Sequence, residues 1–328
     1  MRRFLLFAFL VLLFFPSCQQ NIYQHNEGKI FGTYYHIVYT SRVDLEPEIK
    51  LILDSFSHSL STYDSLSIIS KINRNRDFKT DSFFRAVFRR SEEISLLTDG
   101  AFDITVAPLV NAWGFGFSKK EEVTDFYIDS LLNFVGMDKV HLHNEMIQKN
   151  LPGVMLDASA IAKGYSADVV ADYLKKRGIS NYMVEIGGEV VTSGVNPKNT
   201  KWKLGVDKPF DDPAVLKREL QMVVALSGEA LATSGNYRNF YIKEGKKYAH
   251  TIDPKTGYPV EHSLLSASII APDCISADAF ATACMVIGVE ESMQLIESLP
   301  DLEGCFIFHT DAGNQVVMTS GFYRFISE

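Results

Sequence analysis

The chain has 328 residues, 46% of them hydrophobic, which is enough for one large domain or two smaller ones with extensive cores. Its formal net charge is −8 at pH 7, and its basic residues form no run longer than a few positions. These properties argue against nucleic-acid binding, because phosphate backbones are bound by clustered Lys and Arg side chains.

The N-terminus has the pattern of a bacterial lipoprotein export signal. Two arginines precede the apolar run 4–15, which has the length of a signal peptide and is short for a membrane span. Ser17 and Cys18 follow, as at a lipoprotein cleavage site, although Pro16 makes the motif imperfect. We expect 1–17 to be removed and Cys18 to carry lipids that anchor the protein to a membrane, facing the periplasm. An ordinary cleaved signal with an incidental cysteine is the alternative.

The mature chain is expected to begin with a short polar tether, 18–28, followed by a single domain, 29–328. The remaining cysteines are Cys274, Cys284 and Cys305. Their odd number and lack of paired spacing argue against a disulfide framework, so we expect them to be small buried side chains.

The first part of the domain is predicted to contain one strand and several helices. The strand is 30–40, which is rich in aromatic and β-branched residues. Pro47 can open a helix whose apolar side continues to Leu60, and Asp81 can cap another that ends at Gly100. Shorter helices are predicted at 68–73 and 129–135.

Strands dominate from residue 139 onward, interrupted by helices at 161–177 and about 276–287. The candidate strands are 139–148, 153–156, 181–186, 189–194, 202–207, 222–227, 239–243, 266–271, 304–309 and 315–319. Because most connections are short and turn-like, antiparallel pairing is favoured over βαβ crossovers. The sequence therefore predicts an α+β domain of mostly antiparallel sheets packed with helices.

One candidate site is the junction between the predicted strand 153–156 and the following helix. It carries Asp157, Ala160 and Lys163 among small residues. Small side chains let a ligand approach the backbone, and a helix N-terminus favours anions. The junction therefore suits a phosphate or a hard metal, and an ordinary turn with a surface lysine is equally compatible.

A second candidate is the pair Asp278 and Thr282, which lie four residues apart and so share one helix face. A carboxylate and a hydroxyl surrounded by small residues can provide oxygen ligands to Mg²⁺. The alternative is an N-terminal capping aspartate and a threonine bonded to its own helix.

Three further stretches could contact a ligand. His250 precedes a turn rich in Asp-Pro and Thr-Gly, where it could reach a ligand or serve only structure. Paired glycines at 187–188 fit a hairpin turn or a flat ligand lying against the backbone. Tyr63 and 101–103 could stack on and anchor a ligand, or only end a helix and fill the core. The chain contains no P-loop, Gly-x-Gly-x-x-Gly, His-Glu-x-x-His or Gly-x-Ser-x-Gly motif, which disfavours the usual nucleotide-binding folds and serine hydrolases.

Nine stretches, in this order along about 30–290, together resemble the FAD:protein FMN transferase family, the ApbE-type flavin transferases. They are Phe-Gly-Thr-Tyr-Tyr (31–35), Ser-Thr-Tyr-Asp-Ser (61–65), Thr-Asp-Gly-Ala-Phe-Asp-Ile-Thr-Val-Ala-Pro-Leu (98–109), Trp-Gly-Phe (113–115), Asp-Ala-Ser-Ala-Ile-Ala-Lys-Gly-Tyr (157–165), Gly-Gly-Glu (187–189), Thr-Ser-Gly-Asn-Tyr-Arg (233–238), His-Thr-Ile-Asp-Pro-Lys-Thr-Gly-Tyr-Pro (250–259) and Ala-Asp-Ala-Phe-Ala-Thr-Ala (277–283).

The resemblance implies an exported, magnesium-dependent enzyme with a T-fold-like α+β core. Such enzymes take FAD, transfer FMN to a threonine or serine hydroxyl of a partner protein, and release AMP. Their typical acceptors are subunits of membrane redox complexes.

The resemblance also implies roles for individual residues. The backbone carbonyl of Ala160 and the side chains of Asp278 and Thr282 would hold Mg²⁺. Together with this ion, Lys163 would neutralise charge on the diphosphate during the reaction. His250 would act as the base for the acceptor hydroxyl.

FAD itself would be contacted by Asp157 and Lys163. The flavin and adenosine pocket would be lined by Phe31, Tyr63, Ala101, Phe102, Asp103, Glu185 and Ile252.

The sequence departs from the family pattern at a few positions. Phe31 stands where methionine is frequent, and Glu185 where asparagine is common. Ala281 lacks the side-chain oxygen found in some relatives, so we expect a water in that coordination position. Two other functions fit the same residues: a magnesium-dependent FAD pyrophosphatase that gives FMN and AMP, and a lipoprotein that only binds FAD.

Overall fold

The structure is a computed structural model that describes residues 22–117, 123–209, 219–236, 240–243 and 246–327. The expected signal peptide and Cys18 lie outside these ranges. Within them, no helix has both the length and the apolar character needed to cross a membrane.

Strands and helices alternate irregularly along the described chain. The strands are β1 (Tyr23–Ile30), β2 (Thr33–Thr40), β3 (Val140–His143), β4 (Met146–Lys149), β5 (Tyr182–Ile186), β6 (Glu189–Ser193), β7 (Trp202–Asp207), β8 (Leu220–Leu226), β9 (Ala230–Gly235), β10 (Phe240–Lys243), β11 (Lys246–Ala249), β12 (Leu264–Ala271), β13 (Glu303–Thr310) and β14 (Gly313–Met318). The helices are α1 (Glu46–Leu60), α2 (Ile68–Asn73), α3 (Ser82–Leu97), α4 (Ala107–Trp113), α5 (Asp125–Leu132), α6 (Ala162–Lys176), α7 (Cys274–Ile287) and α8 (Val289–Ser298), with 3₁₀ turns at Met137–Lys139 and Phe322–Phe325.

The centre of the fold is an eight-stranded sheet in the order β1-β2-β5-β6-β9-β12-β13-β14. Neighbouring strands in this sheet pair antiparallel throughout. Three separate hairpins, β3–β4, β7–β8 and β10–β11, lie outside it. The predicted α+β fold with mostly antiparallel pairing is confirmed.

The two faces of the sheet are covered differently. Side chains alternate between the faces along a strand. In β5, Val184 and Ile186 therefore pack on α1 and α6, while Met183 points to the opposite face and packs with Trp202 of the β7–β8 hairpin. Both faces are thus buried around the centre of the sheet. The helical face, which α6 and α7 cover, carries the candidate site.

The expected tether at 18–28 is wrong for its second half, because Tyr23–Ile30 forms β1. Every residue of this strand pairs with β2, across a two-residue turn at Phe31 and Gly32. Both turn residues have positive φ, 51° and 74°, as in the hairpin turns that match strand twist. Backbone hydrogen bonds to β2 stabilise this edge strand. Because its side chains are mostly polar, they do not show the apolar pattern that predicts a strand.

Other differences from the predicted elements arise from turns and from small residues. The predicted strand 139–148 is the β3–β4 hairpin, because Asn144 and Glu145 adopt positive φ and reverse the chain. Strand β9 was not predicted, since its sequence Ala-Leu-Ala-Thr-Ser-Gly has no aromatic residue and only one β-branched residue, yet it lies inside the sheet. Helices α4 and α8 were also not predicted.

The predicted strand 153–156 is an extended segment held by side chains. Asn73, at the end of α2, exchanges two hydrogen bonds with the backbone of Leu156: its Nδ2 donates to the carbonyl at 2.8 Å and its Oδ1 accepts from the amide at 2.7 Å. Lys149 Nζ donates to the Val154 carbonyl at 2.8 Å, and Met155 forms a parallel bridge to Val106. These contacts replace the ladder of a second strand and fix the position of the next residue, Asp157.

Replacing Asn73 with Ala should lower the free energy of unfolding by about 2–4 kcal/mol, because the buried amide and carbonyl of Leu156 lose their partners. Urea denaturation followed by circular dichroism measures this change. The control is Asn133→Ala, whose side chain bonds helix carbonyls at the surface and should change stability by less than about 0.5 kcal/mol. Equal effects of the two substitutions would contradict a structural role for Asn73.

Candidate functional site

The site is built where the first turn of α6 meets α7. The contact is at Gly164: a Cβ there would collide with the carbonyl oxygen of Cys274 and lie 2.7 Å from Cβ of Asp278. The Gly164 amide donates to Asp278 Oδ2 at 2.9 Å. In a regular helix this amide would bond the carbonyl four residues earlier, that of Ala160. That carbonyl accepts no backbone hydrogen bond from the described part of the chain.

Asp278 and Thr282 lie on the face of α7 that meets this junction. Asp278 is only 2% exposed. The alternative that Asp278 caps the helix is wrong, because Asp273 is the N-cap residue and accepts from the Ser276 amide. The Thr282 hydroxyl lies 3.2 Å from Ser234 Oγ in β9.

Lys163 lies between two buried carboxylates. Its Nζ is 2.5 Å from Glu189 Oε1 and 3.6 Å from Asp278 Oδ1. Burial disfavours the ammonium, but the charges of Asp278 and Glu189 outweigh it and raise the pKa of Lys163. Burial raises the pKa of Glu189, and the neighbouring Lys163 opposes that shift. The cluster is therefore an ion pair with an additional carboxylate, and not a surface lysine at a turn.

Oxygen groups that suit a hard cation are carried by the segment that opens α6 and by α7. The donors are the Ala160 carbonyl, the Asp278 carboxylate and the Thr282 hydroxyl, which are the predicted magnesium ligands. Nowhere in the described ranges do three or more His, Cys, Asp or Glu residues form a group that could hold a metal. A cation here would depend on one carboxylate, neutral oxygens, water and the phosphates of a ligand, which fits Mg²⁺ better than Zn²⁺.

A cavity of about 730 Å³ opens beside Lys163. Its size falls in the range of small-molecule sites. Four of the predicted FAD contacts line it, namely Phe31, Tyr63, Asp157 and Lys163. The Phe31 ring packs against Phe56 with centroids 5.7 Å apart, whereas Tyr63 is 77% exposed and can offer a ring face to a ligand.

Asp157 is placed in this cavity by backbone contacts on both sides. Its amide donates to the Ile104 carbonyl at 2.7 Å, and its Oδ1 accepts from the Ser159 amide at 2.9 Å. Burial raises the pKa of its carboxyl group. Hydrogen bonds therefore position both its backbone and its carboxylate at the lining of the cavity, close to the start of α6.

The side chains of residues 101–103 do not line this cavity. Phe102 belongs to the main hydrophobic core, and Ala101 is buried. The Asp103 carboxylate accepts from the amide and hydroxyl of Thr105 and lines a different cavity of about 870 Å³ with Lys255. Burial raises the pKa of Asp103. The predicted anchoring role of this carboxylate is thus not supported by its position.

Glu185 is also placed away from the cavity. It follows Val184 and precedes Ile186 in β5, and both of those residues face α6. Because successive side chains alternate, Glu185 points to the other face, where its Oε2 lies 3.8 Å from His36 Nδ1. The residue that reaches Lys163 is Glu189, which pairs with Ile186 across the 187–188 turn. The Gly-Gly-Glu stretch at 187–189 is the sequence feature that could have identified Glu189 as a site residue.

Ile252 and His250 lie on the segment after β11. Ile252 is 5% exposed and belongs to an apolar cluster with Leu109 and Trp113, so its side chain serves packing. His250 is half-buried, and its ring meets the edge of Phe115 at a centroid distance of 6.4 Å.

The His250 segment is connected to the β9 strand that contacts α7. Thr251 Oγ1 donates to Asn236 Oδ1 at 2.7 Å. Asn236 follows β9 directly, two residues after Ser234, whose hydroxyl contacts Thr282. Asn236 and Ser234 were not among the predicted site residues, although both belong to the 233–238 stretch. Positions 237 and 238 of that stretch lie outside the described ranges.

The three described cysteines, Cys274, Cys284 and Cys305, are buried and unpaired, as expected. Burial raises the pKa of each thiol. Cys284 and Cys305 pack in hydrophobic clusters.

Comparisons with known proteins give one consistent result. A model of the ApbE family matches residues 31–306. The FAD:protein FMN transferase of Vibrio cholerae is 35% identical over 98% of this chain and 99% of its own length. The FAD:protein FMN transferase of Haemophilus influenzae is 35% identical over 90% of each chain.

Solved structures agree with this result. The flavin transferase ApbE from Vibrio cholerae superposes with a TM-score of 0.83 at 33% identity, over 93% of this chain and 99% of its own. The apo flavinyl transferase ApbE of Pseudomonas stutzeri gives a TM-score of 0.84 at 28% identity, over 95% of this chain and 99% of its own. The resemblance seen in the sequence is confirmed, and this chain belongs to the ApbE family.

Proposed function

We infer that this chain is an FAD:protein FMN transferase, which moves FMN from FAD to a threonine or serine hydroxyl of an acceptor protein and releases AMP. Family membership supports the transferase activity, since the relatives carry that name. The single structural observation that carries the proposal is the position of Lys163 at the cavity wall, 3.6 Å from the buried Asp278 carboxylate. This arrangement suits a diphosphate that enters together with a divalent cation.

The reaction replaces the phosphoanhydride bond of FAD with a phosphoester bond to the acceptor. The acceptor oxygen forms a bond to the FMN phosphorus, and the bond from this phosphorus to the bridging oxygen breaks, so AMP leaves with that oxygen. The acceptor proton passes to His250 in our proposal. Lys163 offsets the charge that develops on the bridging and non-bridging oxygens.

The Ala160 carbonyl, Asp278 and Thr282 would hold Mg²⁺, which supplies Lewis-acid stabilisation of phosphate charge when bound. The donor set fits this ion because it combines one carboxylate with neutral oxygens. Ser234 Oγ, 3.2 Å from the Thr282 hydroxyl, fixes the orientation of that ligand. Phe31 and Tyr63 would hold the flavin, and Asp157 would accept from its hydroxyl or ring N–H groups.

We further propose that lipids on Cys18 anchor the enzyme to a bacterial membrane on its periplasmic side. Because β1 begins at Tyr23, only four residues, 19–22, separate the anchor from the sheet. Even fully extended, four residues span roughly 15 Å. The domain would therefore stay near the membrane surface, which suits an acceptor that is a subunit of a membrane redox complex.

Incubation of the mature protein with FAD, Mg²⁺ and a threonine-bearing acceptor protein tests the proposed function. Covalent flavin fluorescence on the acceptor, with release of AMP, is the expected result. Formation of FMN and AMP without labelling would identify a pyrophosphatase. Unchanged FAD, with bound flavin only, would identify an FAD-binding lipoprotein.

Asp278→Ala should reduce magnesium-dependent turnover by more than roughly 100-fold, because it removes the only carboxylate of the proposed metal site. The measurement is the transfer rate as a function of Mg²⁺ concentration. Asp172→Ala, which removes an exposed carboxylate from α6, is the matched control and should leave the rate unchanged. Normal turnover of the Asp278 variant would disprove the metal assignment.

His250→Ala should leave FAD affinity largely intact but slow transfer by roughly 10²–10⁴-fold, the range for loss of a general base. FAD affinity is followed by flavin fluorescence, and transfer by single-turnover labelling of the acceptor. His36→Ala is the control, since His36 pairs with Glu185 on the opposite face of the sheet. A comparable loss of FAD binding would show instead that His250 is a ligand contact.

A further inference from the structure

Glu189 is a buried carboxylate for which the proposed mechanism has no use. It is 4% exposed, and its Oε1 lies 2.5 Å from Lys163 Nζ. Its Oε2 is buried without a hydrogen-bond partner in the described part of the chain. A buried carboxylate oxygen without a partner is costly, so its retention at this position calls for a physical reason.

The two oxygens of Asp278 are in different situations. Oδ2 accepts from the Gly164 amide at 2.9 Å and is thereby fixed to α6. Oδ1 faces Lys163 at 3.6 Å, which is beyond hydrogen-bond range, since charge-assisted N–H···O bonds measure about 2.7–2.9 Å. Oδ1 is therefore the oxygen that a cation would take, and Lys163 is the group that could compete for it.

Lysine side chains are long and flexible, so a small rotation would move Nζ from Glu189 to Asp278 Oδ1. Glu189 prevents this movement by holding Nζ at 2.5 Å. The turn at Gly187 closes over the pair: a Cβ there would lie 3.1 Å from Lys163 Cδ and 3.2 Å from Glu189 Oε2. The β5–β6 turn thus fixes both partners on the sheet side of the junction.

We propose that Glu189 is a positioning residue that acts through Lys163. It holds the ammonium group away from Asp278, so that Oδ1 stays available to a divalent cation while Nζ stays at the cavity for the diphosphate. This inference rests on the magnesium site of the proposed function. Without the Glu189 charge, Asp278 becomes the only carboxylate beside Lys163, and a cation must displace the ammonium before it can bind.

Titration calorimetry of the whole mature protein with Mg²⁺, without FAD or acceptor, tests this role. Glu189→Gln keeps the shape of the side chain but removes its charge, and should raise the Mg²⁺ Kd by about tenfold, a typical coupling between neighbouring sites. Lys163→Met should lower the Kd, because the competing ammonium is gone. In the Lys163→Met background, Glu189→Gln should change the Kd by less than about twofold, since the competing group is absent.

Glu303→Gln is the matched control. Glu303 lies in β13, three strands along the sheet from β6. It is also buried, at 8% exposure, and accepts a hydrogen bond from the Thr319 hydroxyl. Its substitution should not change the Mg²⁺ Kd, although it removes a buried charge of the same kind. A similar rise in Kd for both glutamines would show a general effect of lost stability and would overturn the positioning role.

Three other results of the Mg²⁺ titrations would decide against the proposal. An unchanged Kd for Glu189→Gln, or an effect that persists in full without Lys163, would overturn the proposed route through Lys163. If Glu189→Gln does not fold, the Lys163→Met protein decides, because unchanged or weaker Mg²⁺ binding contradicts competition for Asp278. A wild-type protein that does not bind Mg²⁺ would overturn the metal site itself, whereas normal wild-type binding with an unaffected Glu189 variant overturns only this inference.

Discussion

The close approach of α6 and α7 at Gly164 is the contact on which the site depends. Because this residue has no side chain, the Cys274 carbonyl and the Asp278 side chain can lie against the α6 backbone. The Gly164 amide is then used to orient Asp278, and the Ala160 carbonyl is released from the helix ladder. One packing constraint thereby orients a buried carboxylate and frees a backbone oxygen at the same place.

Charge in this junction is balanced by few groups. Asp278 and Glu189 are both buried, and Lys163 alone lies between them. A buried charge is tolerated only with a partner, so the pairing of Lys163 with Glu189 leaves the Asp278 charge for a divalent cation to neutralise. A protein of formal charge −8 can attract an anionic dinucleotide only if positive charge is concentrated locally. Lys163 and a bound cation would provide that concentration at the wall of the cavity.

The rest of the fold holds this junction against the cavity. Asn73 and the Ile104 carbonyl fix the extended segment that ends at Asp157, and α6 begins five residues later. On the other side, β9 contributes Ser234 to the Thr282 hydroxyl. Asp157, the proposed cation ligands and Lys163 therefore belong to elements that are packed on one face of a single sheet, which keeps their relative positions fixed.

The sequence by itself determined the α+β class, the main helices and the family, because apolar periodicity, caps and short motifs are local properties. It also predicted roles for Asp157, Lys163 and Asp278; in the structure the first two line one cavity, and Lys163 lies 3.6 Å from the Asp278 carboxylate. Only the tertiary structure decided which side chains reach one another. It placed Glu185 on the far face and brought Glu189 to Lys163, because a shift of one position along a strand reverses the face of the sheet. Small-residue β9 became a strand by pairing with β6 and β12, which are distant in sequence, and polar β1 by pairing with β2 across the turn at Phe31 and Gly32. In both strands the backbone hydrogen bonds come from a neighbour, which the strand's own side-chain pattern does not report.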